Sequence, residues 1–265
     1  MSFEEARTRL EISAGRMSRL ESGVTAPDVW LAKSLLDLYG VPVNDWEPVL
    51  DQVRSARKSG WWREFGLSTR GYIPLETAAT LARKFELVYI PGLLQTADYA
   101  RAGFRAMSGE SAEWIENAVN VRMFRQRRLT EVDPIKVVAV IDELVLTRPV
   151  GSAALMAGQL RHRVDVSSLA NVTLQVVPFG ARPHIGYDGA FTILSFADHE
   201  DVAFVEIVAD KIVLDKEEQV HNCHKAFDRL QALALGPEES RALITRYAER
   251  LDGGSWIFGE EMSGS

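Results

Sequence analysis

The chain has 265 residues, of which 46% are hydrophobic and 25% are charged, as is ordinary for a globular protein of one or two domains. No apolar run approaches the ~18 residues of a membrane span, and the acidic start differs from a signal peptide, so we expect a cytoplasmic protein with no membrane partner. A single cysteine, Cys223, excludes internal disulfides and thiolate zinc clusters. The net charge of −7 argues against a protein that covers nucleic acid without sequence preference.

Residues 1–60 are predicted to form a small all-α module. Apolar residues recur at helical spacing, and Gly23, Gly40 and Pro42 end or separate the helices. The expected helices begin after Ser2 and then cover 14–22, 27–38 and about 46–59. A stretch with several glycines and two adjacent tryptophans follows, and the domain junction is placed there.

Residues 61–251 are predicted to form a larger α+β domain, because helical and strand-like periods both occur in it. The run of β-branched and small apolar residues at 137–141 indicates a buried strand. Helices are expected at 74–87, 96–107, 111–130, 152–169, 216–234 and 237–251. Strands are expected at 136–146, 172–178, 190–196 and 203–208, with 211–214 as a candidate further strand. Residues 252–265 are expected to be a tail.

The segment from Ser13 to Gly23 resembles the recognition helix of Xre-type helix-turn-helix regulators of actinobacteria. In that family the helix lies in the major groove, with its first residues on base edges and neighbouring groups on phosphates. Arg16 is the best candidate for reading a base, since its guanidinium can pair with guanine O6 and N7. The alternative is that these residues only cap and solvate a short helix. The DNA-binding residues that the resemblance implies are Ser13, Ala14, Arg16, Ser18 and Arg19.

Three departures from the Xre pattern weaken the expectation of DNA binding. The sequence begins where the second helix of the family is expected, so the module is predicted to be truncated. Ala14 stands where the family commonly has Gln, a side chain that can pair bidentately with adenine. Residues 1–23 carry four Arg and four Glu, so no net positive charge attracts this segment to phosphate.

The sequence from Tyr89 to Arg101, YIPGLLQTADYAR, is similar to the signature of an uncharacterised domain that follows such modules in many actinobacterial regulators. The resemblance implies a regulatory domain that senses a small molecule or a small partner protein encoded nearby. A turn at Pro91 and a helix cap at Thr96 also explain the motif without any ligand. The similarity covers most of residues 61–251 and continues through 122–129, 140–143, 148–151, 171–179, 226–230 and 240–244.

Five residues of the large domain are candidates for binding a ligand. Asp142 and Glu143 end a buried strand, where clefts often open in mixed sheets. The loop 178–189 carries two of the others among glycines and prolines, and loops of this kind can line a pocket. A capped strand end and a plain surface loop are the alternatives. The candidate ligand-binding residues are Tyr99, Asp142, Glu143, His184 and Tyr187.

No sequence motif for catalysis or for cofactor binding is present. The chain has no nucleophile elbow, no phosphate-binding glycine loop and no dinucleotide fingerprint. His221 and His224 have a spacing that could ligate a metal. The flanking residues match no zinc motif, so neither a metal nor a cofactor is predicted.

Three functions are compatible with the sequence. The first is a homodimeric, DNA-binding transcriptional regulator whose large domain binds a small effector and holds the dimer together. The second is a biosynthetic enzyme of secondary metabolism, for example a cyclase, or a small-molecule binding protein, built on the regulator scaffold with DNA binding lost. The third is an interaction protein that binds a small partner encoded nearby. The family resemblance favours the first.

Overall fold

The chain divides into two units, residues 1–70 and 71–265. The first is helical and the second combines helices with a mixed sheet, so the predicted α+β class, with a helical N-terminal part and a larger mixed domain, is confirmed. Within the described ranges, no helix has both the length and the apolar character needed to cross a bilayer. Most of the predicted tail, 254–265, lies outside the described residues. The residues that this computed structural model describes are 3–21, 27–57, 60–67, 71–206 and 211–253.

The described part of the first unit contains four α-helices. They are α1 (Phe3–Arg9), α2 (Ala14–Glu21), α3 (Val29–Leu38) and α4 (Trp46–Arg57). Helix α3 begins where the side chain of Asp28 accepts a hydrogen bond from the backbone NH of Leu31 at 2.8 Å. Ala32 of α3 belongs to the same small hydrophobic core as Leu50 and Val53 of α4.

The second unit is built from a sheet and the helices that cover it. The strands are β1 (Leu81–Glu86), β2 (Lys136–Asp142), β3 (Val172–Val177), β4 (Phe191–Ser195), β5 (Val202–Glu206) and β6 (Lys211–Leu214). The helices are α5 (Tyr72–Ala78), α6 (Ala97–Met107), α7 (Ala112–Gln126), α8 (Leu144–Thr147), α9 (Ala153–Val166), α10 (Glu217–Leu233) and α11 (Pro237–Asp252). The order of the strands across the sheet is β3-β2-β1-β4-β5-β6.

Strand β1 is the strand at which the two halves of the sheet meet. It pairs in parallel with β2 and antiparallel with β4. Because side chains alternate along a strand, Ala82, Lys84 and Glu86 face one side of the sheet, while Arg83 and Phe85 face the other. The Ala82 side packs against α5, α6, α9 and α11, and the Phe85 side packs against α10. Lys84 and Glu86 therefore face a layer of helices.

Residues 74–87 form two elements, whereas the sequence predicts one helix there, and this prediction is wrong. Helix α5 ends at Ala78, because Ala79 adopts an extended conformation with φ −68° and ψ 145°. The backbone NH of Thr80 then donates to the carbonyl of Ser195 at 2.9 Å, next to the ladder between β1 and β4. Apolar residues do repeat here at helical spacing, but pairing with a strand on each side overrides that local preference.

Arg163 of α9 is fully buried, and no described atom accepts a hydrogen bond from any of its three guanidinium nitrogens. Burial lowers the pKa of Arg163 to about 10, although the nearby hydroxyl of Tyr99 acts in the opposite direction. A buried charge without a partner is desolvated with no compensating interaction. Arg163 is therefore expected to destabilise the fold.

Replacing Arg163 with methionine is expected to raise the free energy of unfolding by about 1–4 kcal/mol, because an apolar side chain occupies the site without a buried charge. Urea unfolding of variant and wild type, followed by circular dichroism, measures this difference. Arg161→Met, at an exposed position of the same helix, is the matched control and should change the free energy by less than about 0.5 kcal/mol. A less stable Arg163→Met protein would contradict this interpretation.

Candidate functional site

A cavity of about 160 Å³ lies beside β1, β4 and β5, on the face of the sheet that α6 and α7 cover. Lys84, Thr192 and Phe204 form its floor, since they project from three neighbouring strands to the same side. Two glycines, Gly92 and Gly103, form part of its walls. A cavity of comparable volume can hold one benzene molecule, so this one suits a ligand of roughly six to ten non-hydrogen atoms.

The carboxylate of Glu76 is the centre of a buried ionic cluster next to the cavity. Arg125 donates to it twice, from Nε to Oε1 at 2.6 Å and from Nη2 to Oε2 at 2.9 Å. The hydroxyl of Tyr72 donates to Oε2 at 2.5 Å, and Nζ of Lys84 lies 3.5 Å from the same oxygen. Lys84 also donates a hydrogen bond to the Tyr72 hydroxyl. The cluster therefore joins α5, β1 and α7.

The pKa shifts within the cluster follow from its burial and its charges. Burial alone would raise the pKa of Glu76, but the charges of Arg125 and Lys84 lower it to about 2. Burial raises the pKa of Tyr72 well above its usual value, and the charge of Glu76 adds to this effect. Burial works against the protonated form of Arg125, yet the charge of Glu76 outweighs it and raises this pKa. At neutral pH these shifts keep Glu76 ionised, Arg125 protonated and the phenol of Tyr72 neutral.

Arg122 lies one helical turn before Arg125 on α7 and brings a second guanidinium to the cavity. Its Nη1 donates to Oε1 of Gln95 at 2.6 Å, and its guanidinium carbon lies 4.9 Å from the centre of the Phe104 ring. Burial and the neighbouring charge of Arg125 lower the pKa of Arg122 to about 10. Its hydrogen-bond partner is a neutral amide, so the guanidinium can serve as an anchor for an anionic group.

The segment 89–101 forms part of the cavity wall and is fixed by two glutamines from neighbouring helices. The side chain of Gln126 in α7 donates to the backbone carbonyl of Gln95 at 2.6 Å. The side chain of Gln159 in α9 donates to the backbone carbonyl of Leu94 at 2.7 Å. Helices α7 and α9 thus determine where this wall lies.

Residues 69–246 match the model of a protein family described as Domain of unknown function (DUF5753). The chain belongs to this family. The matched range contains the whole cavity, and it confirms the expectation of an uncharacterised domain in the larger part of the chain. No curated protein and no solved structure matches the chain.

The predicted ligand-binding residues lie at different places in the DUF5753 domain. Tyr99 lies in the wall of the cavity, where burial raises the pKa of its hydroxyl. Asp142, His184 and Tyr187 line a different cleft at the carboxyl end of β2. There, Nε2 of His184 lies 3.7 Å from Oδ2 of Asp142, and the rings of His184 and Tyr187 have centres 4.4 Å apart. The structure does not bring the predicted set together at one site.

Glu143, the fifth predicted residue, accepts two hydrogen bonds at its carboxylate, both from residues of the second unit. Its carboxylate accepts one from the hydroxyl of Tyr247 in α11 and one from the backbone NH of Phe179, each at 2.7 Å. Strand β2 ends just before it, since the side chain of Asp142 accepts a hydrogen bond from the NH of Leu144 at 2.8 Å and α8 begins there. Ligand binding by Glu143 stays a prediction.

The predicted DNA-binding residues belong to the first unit, outside the DUF5753 match. The hydroxyl of Ser13 accepts a hydrogen bond from the NH of Arg16 at 3.2 Å, which caps α2. Nη2 of Arg16 lies 3.6 Å from Oδ2 of Asp28. The side chain of Arg19 lies outside the described residues. The predicted residues that are exposed at the start of α2 are Ser13, Ala14, Arg16 and Ser18.

The ionic residues of the cavity are absent from the predicted ligand-binding set. The sequence pattern places residues 84 and 86 on a helix, where charged side chains are ordinarily solvated. The signal that could have revealed them is the alternation in β1, where Lys84 and Glu86 occupy the same side as the apolar Ala82. Charged residues on a core-facing side indicate paired ions or a site.

Glu76→Gln is expected to lower the free energy of unfolding by about 3–5 kcal/mol, because it leaves two buried cations without a carboxylate. Urea unfolding at neutral pH measures the loss. Glu200→Gln, at an exposed position between β4 and β5, is the matched control and should change the free energy by less than about 0.5 kcal/mol. A Glu76→Gln protein as stable as the control would show that the cluster is not needed for the fold.

The wild type is also expected to lose stability in acid through this one carboxylate. The pKa of Glu76 is about 2 in the folded chain, against an ordinary value of 4.5. Its contribution of about 3 kcal/mol is thus fully present above pH 4.5 and is lost progressively as pH falls towards 2. Unfolding measured across this pH range should show the loss in the wild type and a smaller loss in Glu76→Gln. Identical acid profiles would contradict the assignment.

Proposed function

We propose that this chain is a DNA-binding transcriptional regulator of the Xre type whose DUF5753 domain binds a small effector in the cavity beside β1. The observation that carries the proposal is Arg122, a partly buried guanidinium at the cavity whose hydrogen-bond partner is the neutral amide of Gln95. An anionic group that entered the cavity would gain a charge-assisted hydrogen bond from it. Aromatic rings around the cavity offer apolar contact to the rest of a ligand.

The DNA-binding part of the proposal rests on α1 and α2. These short helices are joined by residues 10–13. Residues 14–16 at the start of α2 are exposed, as a helix that enters the major groove requires. Arg16 is exposed in that turn and could reach the edge of a base. Regulators of this type read two half-sites with two-fold symmetry, so we expect a homodimer that acts in the cytoplasm.

Control by the effector requires different affinities for the two states of the regulator. A ligand can change the affinity for DNA only to the extent that it binds one state of the regulator more tightly than the other. By thermodynamic linkage, DNA must then change the affinity for the effector by the same factor that the effector changes the affinity for DNA. This reciprocity gives the proposal a quantitative check that needs no structural assumption.

A second candidate is a small-molecule binding protein or biosynthetic enzyme, such as a cyclase, that does not bind DNA. The ion pair between Arg16 and Asp28, 3.6 Å apart, favours it, because the residue best suited to read a base already faces a carboxylate. In this case the cavity would act on its ligand by shape and hydrogen bonding. Turnover of a bound metabolite without any DNA binding would distinguish this candidate from the regulator.

Arg16→Ala is expected to weaken binding to the DNA upstream of the chain's own coding sequence by about 5–100-fold, because it removes a base contact. Electrophoretic mobility shift at low salt measures the affinity, and raising the salt concentration should weaken binding of the wild type. Arg54→Ala is the matched control. Arg54 is exposed on α4 and pairs with Glu47 and Asp51, so its removal should change the affinity by less than about threefold.

Two outcomes would contradict the regulator proposal. One is the absence of binding to any genomic fragment at low salt. The other is equal weakening by Arg16→Ala and Arg54→Ala, since this would mean that only general charge contributes to binding.

A further inference from the structure

We infer that the cavity binds a small aromatic carboxylic acid, with the carboxylate on Arg122 and the ring in the space that Gly103 leaves open. The inference rests on the proposed function only in taking this cavity as the effector site. It adds the chemical class of the effector and a residue that limits its size, both of which the family match leaves open.

Gly103 stands in the interior of α6, where glycine makes a helix less stable than alanine would. The backbone does not require glycine there, because its φ is not positive. Nor do the described neighbours require it. Beyond the adjacent residues and the helix backbone, a Cβ atom at this position would come within 4 Å of one atom only, Cε of Met107 at 3.8 Å. Gly103 is nevertheless buried and lines the cavity, so a side chain there would occupy the cavity itself.

The space beside Gly103 has the size and the surroundings that one aromatic ring needs. Its volume of about 160 Å³ is comparable with that of a cavity that holds benzene. The rings of Tyr72, Tyr99 and Phe204 are buried and line it. Those of Tyr72 and Phe204 meet edge to face, with centres 5.2 Å apart. A further ring in such surroundings gains aromatic contacts that an aliphatic chain does not make.

Arg122 is the partner for the carboxylate, because its guanidinium is held at the cavity wall without an acidic partner. The guanidinium carbon lies 4.9 Å from the centre of the Phe104 ring, and it would lie 3.4 Å from a Cβ atom at Gly92. Within the described part of the chain Arg122 forms no ion pair, and its Nη1 donates to the neutral amide of Gln95 at 2.6 Å. An arriving carboxylate thus gains charge-assisted hydrogen bonds without displacing an acidic side chain.

The other charged residues that line the cavity favour a ligand with a single carboxylate. Lys84 and Arg125 are both bonded to the buried carboxylate of Glu76. Glu86 and Glu206, on β1 and β5, are acidic themselves. An acid with one carboxylate binds Arg122 and brings no second negative charge towards these glutamates.

The test uses the full chain without DNA, and its probes are benzoate, the monohydroxy and monomethyl benzoates, and phenylacetate. Thermal unfolding identifies the acids that raise the Tm, and isothermal calorimetry then measures their Kd. We expect at least one of them to bind. Its primary amide, which keeps the ring but loses the charge, should bind about tenfold more weakly, or worse. Its cyclohexane analogue, which keeps the charge but loses the aromatic ring, should bind about 2–10-fold more weakly.

Three results of these titrations would overturn the inference. The first is the failure of every probe to raise the Tm. The second is equal binding of the amide, since the guanidinium would then contribute nothing through its charge. The third is equal binding of the cyclohexane analogue, since the rings around the cavity would then not select an aromatic ligand.

Gly103→Leu tests where the ring lies. It should weaken binding by about tenfold or more and leave the Tm without ligand at or above that of the wild type, because leucine favours a helix. Gly158→Leu is the matched control. Gly158 lies inside α9, does not line the cavity and has no described atom within 4 Å of a Cβ position, so its affinity should not change.

A second variant at position 103 covers the case in which Gly103→Leu lowers the Tm. Gly103→Ala adds a single methyl group to the cavity and should still weaken binding by about fivefold or more. Wild-type affinity in either variant, once it is shown to be folded, would overturn the placement of the ring.

Variants of Arg122 assign the carboxylate. Arg122→Gln should weaken binding of the acid by about 10–100-fold. Because Arg122 also bonds Gln95, Arg122→Lys is measured as well, and it should bind the acid more tightly than Arg122→Gln since it keeps the charge. No difference between these two variants would overturn the assignment.

Failure of this inference and failure of the regulator proposal give different results. Specific DNA binding without binding of any aromatic acid would show that the effector class is wrong and leave the regulator proposal intact. Binding of an aromatic acid without DNA binding would support the inference and favour the second candidate function.

Discussion

Three elements that are distant in sequence, α5, β1 and α7, meet at the carboxylate of Glu76. Their packing buries the charged ends of Lys84 and Arg125, and this one carboxylate bonds to both. Since Arg125 fixes α7, Arg122 lies one turn away at the same cavity. Since Lys84 fixes β1, the next residue on that side of the strand, Glu86, lies at the cavity's edge. The positions of Arg122 and Glu86 at the cavity thus depend on a single buried ion cluster.

Such a cluster has a clearer role in forming a site than in stabilising a fold. Apolar residues of similar volume usually hold helices and strands together at least as well as buried ion pairs do. They would not, however, place the guanidinium of Arg122 beside a cavity of about 160 Å³. Arg163 is the contrasting case, because it is buried with no hydrogen-bond partner among the described residues and does not line that cavity. We therefore interpret the Glu76 cluster as the support of a binding site.

Residue periodicity predicts most of the fold but not the strand that carries the site. The helices of the first unit and strands β2 to β6 follow from the spacing of apolar residues. Strand β1 does not, because Arg83, Lys84 and Glu86 give it the composition of an exposed helix. The pairing of Glu76 with Arg125 spans 49 residues, and a contact of that range leaves no local pattern. Tyr99, which lines the cavity, belongs to the motif at 89–101.

The measurement that tests the central claim most directly is nuclear magnetic resonance of the arginine side chains during ligand titration. The Nε–Hε signals of Arg122, Arg125 and the exposed Arg161 can be followed while a small anionic ligand that raises the Tm is added. If the cavity is the binding site and Arg122 its anchor, the Arg122 signal will move by far the most, and Arg161 will not move. A stationary Arg122 signal in a protein that binds the ligand would contradict the account.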